Sequence, residues 1–254
     1  MPIVRRWTAV HRTPATNARL GATLAFVAGA ANAGGFLAVG QYTSHMTGIV
    51  SASADHLALA QWWPALAGLA ALAVFMAGAM STAILVHWAR GLRLRSQYSL
   101  PLLIEAGFLL LFGLLGAQLA LHVALLLPAT VLVLCYIMGL QNALITKVSK
   151  AEIRTTHVTG LVTDIGIELG KLVYVNRFRD GERVVANRRK LRLLSLLLAT
   201  FFAGGVTGAL GFKYIGYGTT IGLAAVLLTI SLRPLLDDLR IVYRQLRRRG
   251  VEEV

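Results

Sequence analysis

Two short polar runs carry the residues best suited to chemistry in this chain. Ser44-His45-Met46-Thr47-Gly48-Ile49-Val50-Ser51 and Thr156-His157-Val158-Thr159-Gly160-Leu161-Val162-Thr163 agree position by position in residue class. Each offers an imidazole, which can change charge near neutral pH, and hydroxyls that donate or accept hydrogen bonds. Each also reads as a helix opening: Thr43-Ser44 and Thr155-Thr156 are good N-cap residues, and the glycine after each second threonine permits close packing. A helix N-terminus adds free N–H groups and partial positive charge. With Asn32 and Asn142 supplying amides from neighbouring segments, His45, Thr47, His157 and Thr159 make a candidate site for a small polar or anionic solute. The competing reading is that these side chains are interhelical hydrogen-bond glue, worth about 0.6 to 2 kcal/mol per contact.

Carboxylates near these runs are candidates for proton or ion coupling. Asp164 and Glu168 follow His157 on roughly one helical face, with Lys171 beyond them. A solvated salt-bridge ladder fits the same spacing. Asp55 and His56 are the nearest analogues after His45, shifted in register. Glu105 is the only acid inside an apolar run, about one turn from its start, shallow enough for its carboxyl to snorkel to water. No metal site, cofactor motif or catalytic motif is expected: HExxH, GxSxG, a Walker loop and CxxC are all missing from the sequence.

The elements that must position these groups are membrane spans. The chain has 254 residues, 56% hydrophobic and 14% charged, well below the roughly 25% charge of a soluble domain. Apolar runs at Leu20 to Gly40, Pro64 to Trp88, Pro101 to Leu121 and Leu193 to Phe212 reach the roughly 20 residues a spanning helix needs. Shorter uncharged runs at Pro128 to Ile145 and Ile215 to Leu232 complete six spans. Cys135 lies within one of them as the single cysteine, which excludes an intrachain disulfide and a thiolate metal cluster.

The net charge of +14 is distributed by topology rather than displayed to nucleic acid. Lys and Arg number 4 before the first span, 3 between the second and third, 11 over residues 147–192 and 6 from Arg233, with Lys213 alone between the last two spans. A cytoplasmic N-terminus then places 24 of 25 positive charges inside, together with the C-terminus. The first span imitates a cleavable signal peptide, but its residues recur deeper in the chain, where none can be.

That recurrence has three parts in one order. Gly29-Ala-Ala-Asn32-Ala33 matches Gly139-Leu-Gln-Asn142-Ala143 at an offset of 110, the histidine runs match at 112, and Phe75-Met-Ala77-Gly78-Ala-Met-Ser81 matches Phe201-Phe-Ala203-Gly204-Gly-Val-Thr207 at 126. Each repeat holds three spans, an odd number, so the second is inserted upside down. Counting the histidine segments as full spans would give eight crossings and place 7 positive charges outside. The expected architecture is therefore an all-α membrane protein of six helices in an inverted three-plus-three repeat, with a broken or re-entrant helix in each half. Residues 1–19 form a basic N-terminal segment, 20–122 the first repeat, 123–233 the second repeat with a basic loop at 172–191, and 234–254 an amphipathic cytoplasmic tail. Gly204 and Gly208, with Gly107, Gly113 and Gly116, read as close helix-packing positions.

The run Gly40-Gln-Tyr-Thr43-Ser44-His45-Met46-Thr47-Gly48, with Gly139-Leu-Gln-Asn142-Ala143 and Thr155-Thr156-His157-Val158-Thr159-Gly160, resembles the YoaK-type family of bacterial membrane proteins, a domain of unknown function. The resemblance spans about residues 20 to 232 and implies a multi-pass bacterial inner-membrane protein. It supplies no activity. The pattern favours a secondary transporter or permease with a midplane site; the alternative is a membrane-embedded enzyme or assembly subunit in which the motifs are structural. Expected partners are the bilayer, with anionic lipid at the basic face, and a small solute; homo-oligomerisation is left open and no nucleic acid is expected.

Overall fold

The computed structural model describes residues 13–92, 94, 96–119, 121–148, 157–175 and 183–252. Among these the chain is all helical: α1 (Pro14–Val39), α2 (Met46–Ala58), α3 (Trp62–Gly91), α4 (Ser99–Gln118), α5 (Val123–Val148), α6 (Val158–Val173), α7 (Arg188–Tyr214) and α8 (Thr219–Glu252). Six helical stretches are long and apolar enough to cross a membrane, in α1, α3, α4, α5, α7 and the first part of α8. This is a multi-pass membrane protein. The spans run longer than the apolar runs alone indicate, because Pro14 is tolerated at the α1 start and Pro128 lies near the start of α5. α8 passes through Pro234 into the expected tail without a break.

Helix directions follow from the contacts. Phe26, Ala30 and Gly34 of α1 meet Gly204, Gly208 and Phe212 of α7 in the same order, so the two helices are parallel. α3 and α5 are also parallel: the Thr82 hydroxyl donates to the Leu140 carbonyl at 2.9 Å, and His87 lies beside Lys147 further along both. α1 and α5 run oppositely, with Gln141 Nε2 donating to the Leu24 carbonyl at 3.1 Å and Gly35 facing Leu134. α4 and α8 are antiparallel, since Gly113 meets Thr220, Gly116 meets Tyr217, and Ser96 before α4 reaches Asp238 far along α8. Consequently α1 and α3 point in opposite directions, and so do α5 and α7. The starts of α1 and α7 and the ends of α3 and α5 share one end of the bundle, which carries Arg90, Lys147, Arg188, Arg189 and Lys190. We call it the basic end.

Two helix pairs are packed to backbone contact. A Cβ at Gly29 would strike the Phe201 carbonyl of α7, and one at Gly204 the Phe26 carbonyl of α1. A Cβ at Gly139 would strike the Phe75 carbonyl of α3, and one at Gly78 the Tyr136 carbonyl of α5. Lipid supplies no hydrophobic drive between helices, so this approach of backbones, with its dispersion gain, is what holds them. The Gly204 and Gly208 expectation holds. Gly113 and Gly116 also pack, against Thr220 and Tyr217, but Gly107 faces open space and is not a packing position.

The core beneath the crossings comprises Leu20, Leu24, Leu102, Leu109, Phe112, Leu134, Leu144 and Ile145, all fully buried. Replacing Gly29 or Gly139 by Leu should cost about 1–3 kcal/mol or more, because the obstacle is backbone and not a yielding side chain. Thermal unfolding in detergent should show a clear loss for each and almost none for Gly107→Ala.

Candidate functional site

The α2 and α6 helices begin at the two histidine motifs in the same way. His45 and His157 are themselves the N-cap residues, with similar backbone angles (φ −91, ψ 69 and φ −83, ψ 60), and neither helix start has a side-chain cap hydrogen bond. The expected caps are therefore corrected. Ser44 is spent elsewhere, its hydroxyl donating to Asn32 Oδ1 at 2.9 Å, and Thr155 and Thr156 lie outside the described residues. Each imidazole folds back over the first turn: a Cβ at Gly48 would overlap the His45 ring, and one at Gly160 the His157 ring. The motif glycine thus makes room for its own histidine, not for a neighbouring helix.

Both helix starts open into one cavity of about 1170 Å³. It takes in all six residues singled out as a candidate solute site: His45, Thr47, His157, Thr159, Asn32 and Asn142. Its walls pair residue by residue between α1 and α5. Gly29, Asn32, Ala33, Phe36 and Leu37 line it from α1, and Gly139, Asn142, Ala143, Thr146 and Lys147 from α5, each pair separated by the repeat offset of 110. Phe75 of α3 and Phe201 of α7 close it as another matched pair.

Its chemistry is one-sided. No carboxylate is among the described lining residues, while Lys147 contributes a positive charge and the uncapped starts of α2 and α6 contribute free N–H groups. Partial positive charge from two helix N-termini on one cavity favours an anionic or strongly accepting occupant. Lys147 was missed in the sequence because it closes an apolar run and reads as a topology charge. The offset of 110 from Leu37, a residue just past Asn32, was the signal that could have found it.

The carboxylates proposed for coupling lie outside this lining. Asp55 is exposed on α2. Asp164 pairs with Lys190 of α7 at 3.2 Å. Glu168 is not part of a solvated ladder: its side chain is 3% exposed, it accepts from Lys171 Nζ at 2.9 Å, and it accepts from the Asn187 backbone N–H at 2.7 Å. Its counterpart at the repeat offset is His56, whose Nδ1 lies 2.7 Å from Gln61 Oε1. Gln61 and Asn187 are the N-cap residues of α3 and α7, so the same position ties each short helix to the start of the next span. Glu105 does not snorkel. It is fully buried in α4, and neither oxygen has a hydrogen-bond partner among the described residues.

One comparison decides the family. A family model described as a protein of unknown function, DUF1275, matches residues 20–232. The chain belongs to the DUF1275 family. The resemblance carried by the histidine motifs is thereby borne out, and the match covers both motifs and all of α1 from Leu20 to the spanning part of α8. No curated protein and no solved structure matches the chain. Within this DUF1275 chain the lysine at Glu168 gives a pH test. The Lys171 ammonium, and then the Asn187 N–H, hold the Glu168 carboxyl below its ordinary value. A lowered folded value means the stabilisation is present above the unfolded carboxylate value of about 4.3 and is lost as pH falls through the folded one. Thermal unfolding should therefore show wild type above Glu168→Gln at pH 7, with the gap closing below about pH 4.

Proposed function

We propose that the chain is a small secondary carrier built from two inverted repeats, α1–α4 and α5–α8, which moves a small polar or anionic solute through a midplane site formed by the histidine motifs. The single observation that carries this reading is the matched lining: α2 and α6 both present uncapped N-termini to one cavity whose α1 and α5 walls correspond at a constant offset. Crossed packing supports the repeat. Gly29 against Phe201 becomes Gly139 against Phe75 when each residue is exchanged for its repeat partner, and Gly204 against Phe26 becomes Gly78 against Tyr136.

The helix directions support re-entrant α2 and α6. Their flanking spans run oppositely, so 13-residue α2 and 16-residue α6 each leave by the side they entered. Half-helices of this kind are tolerated at membrane depth when buried in protein or lining a water-filled cavity. Rocking of α1 and α7 against α3 and α5 would expose the shared site to each side in turn. The basic end faces the cytoplasm of a bacterial inner membrane and its anionic lipid, with both termini there.

The topology is tested by cysteine labelling in a Cys135→Ala background, using the exposed positions Gln61→Cys and Val185→Cys. An impermeant maleimide should reach Gln61→Cys only from outside and Val185→Cys only from inside; reaction of both from one side sinks the inverted model. The Ser44–Asn32 hydrogen bond favours a second reading, in which the motifs only pack helices. Thr47→Cys and Thr159→Cys separate the two readings without any known solute. A carrier site reacts with impermeant reagent applied to either face, whereas packing residues stay silent from at least one face. Once a transported solute is identified, His45→Ala and His157→Ala should each abolish its uptake into proteoliposomes, and normal uptake by both would remove the histidines from the site.

A further inference from the structure

The proposed carrier site departs from twofold correspondence at one end, and the departure identifies a class of solute. At three of the five α1 and α5 pairs lining the cavity, the two residues are identical: Gly29 and Gly139, Asn32 and Asn142, Ala33 and Ala143. The last two pairs differ in kind: Phe36 and Leu37 on α1 correspond to Thr146 and Lys147 on α5, at the opposite end of the cavity. Toward the basic end the cavity is therefore cationic and hydroxylic, with His87 Nε2 3.5 Å from Lys147 Nζ. Among the described residues no carboxylate pairs with Lys147. Toward the other end the wall is aromatic: Phe36 and Tyr42 stack with centroids 4.7 Å apart, and Phe75, Phe201 and Phe202 add three more rings around the cavity.

We propose that the cavity binds an amphipathic organic monoanion, its carboxylate at the basic end on Lys147 and the α6 N-terminus, its apolar body against the aromatic residues of the lining. This deepens the carrier reading and rests on it. Size and lining together argue against an inorganic anion. The cavity, at about 1170 Å³, lies just above the range of pockets for drug-sized molecules, about 300–1000 Å³. A site for chloride or phosphate alone would be small and lined by polar donors, since an anion gains nothing from rings that present a negative face. An organic anion uses both halves: apolar area is removed from water against the rings, and the charge is met by a lysine with no carboxylate partner among the described residues. Cations are disfavoured by the same lysine and by both helix N-termini.

Thermal stabilisation of the full-length purified protein in detergent tests this with defined probes. Three amphipathic carboxylates (benzoate, indole-3-acetate and octanoate) are compared with neutral benzamide, cationic benzylamine and inorganic phosphate. At least one carboxylate should stabilise saturably at a concentration where the other three probes do nothing. Lys147→Met, which keeps the apolar stem, should weaken that carboxylate by roughly tenfold or more, and Lys147→Arg should retain most of the affinity. Phosphate binding as tightly as every carboxylate overturns the amphipathic class, and so does stabilisation by benzylamine. Equal carboxylate binding by wild type and Lys147→Met overturns the role of the lysine. If all three carboxylates fail, the solute class fails, while two-sided labelling of Thr47→Cys and Thr159→Cys still decides the carrier reading separately.

Discussion

Backbone contact at four glycines is the constraint on which the rest of this molecule depends. At Gly29, Gly204, Gly78 and Gly139 the neighbouring helix backbone occupies the space a side chain would need. Helices brought this close gain dispersion contacts along their length, which in lipid must replace the hydrophobic drive available in water. The consequence for the site is geometric. Asn32 and Asn142 stand one turn from Gly29 and Gly139 on the same helices, so the crossings that lock α1 to α7 and α3 to α5 also fix the depth of both amides.

Much of the spanning architecture was legible because hydrocarbon is a demanding solvent. Runs such as Pro64 to Trp88 have few other fates than spanning, and the structure places a helix over each. The histidine segments were legible as helix openings for a related reason, being too polar for lipid and too apolar for a loop. Their local chemistry was not. Ser44 has every property of an N-cap, yet its hydroxyl is drawn to Asn32, a residue twelve positions earlier, and His45 takes the cap position without capping. A tertiary partner outcompeted a local one, which propensity cannot register.

The burial of Glu105 and Glu168 was illegible for a different reason: sequence reports spacing and not depth. Glu105 stands one turn into the apolar run that begins at Pro101, which suggests a carboxyl near water, but α4 is covered by α8 and the residue is sealed. Glu168 and Lys171 have the spacing of a surface ion pair, yet the carboxylate is buried against the start of α7. In both cases the deciding element lies far along the chain, in a helix whose docking no local pattern announces.

The two halves match where the backbone is under constraint and diverge where only side chains are concerned. Gly29 and Gly139 must both be glycine, because both meet backbone, and the imidazole of each motif requires the glycine three residues on. Anchoring of the short helices is freer. α2 rests on α3 through Ser53 against Gly68 and the neutral-acceptor His56–Gln61 hydrogen bond, whereas α6 is tied to α7 by the Asp164–Lys190 ion pair and the Glu168–Asn187 hydrogen bond. Small-residue packing is indifferent to pH and salt, while ion pairs at a membrane surface are weakened by both. The two short helices therefore share a shape but not their ion pairing. Both ion pairs of α6 stand at the basic end, and α2 carries none among the described residues, its polar tie being the His56–Gln61 hydrogen bond.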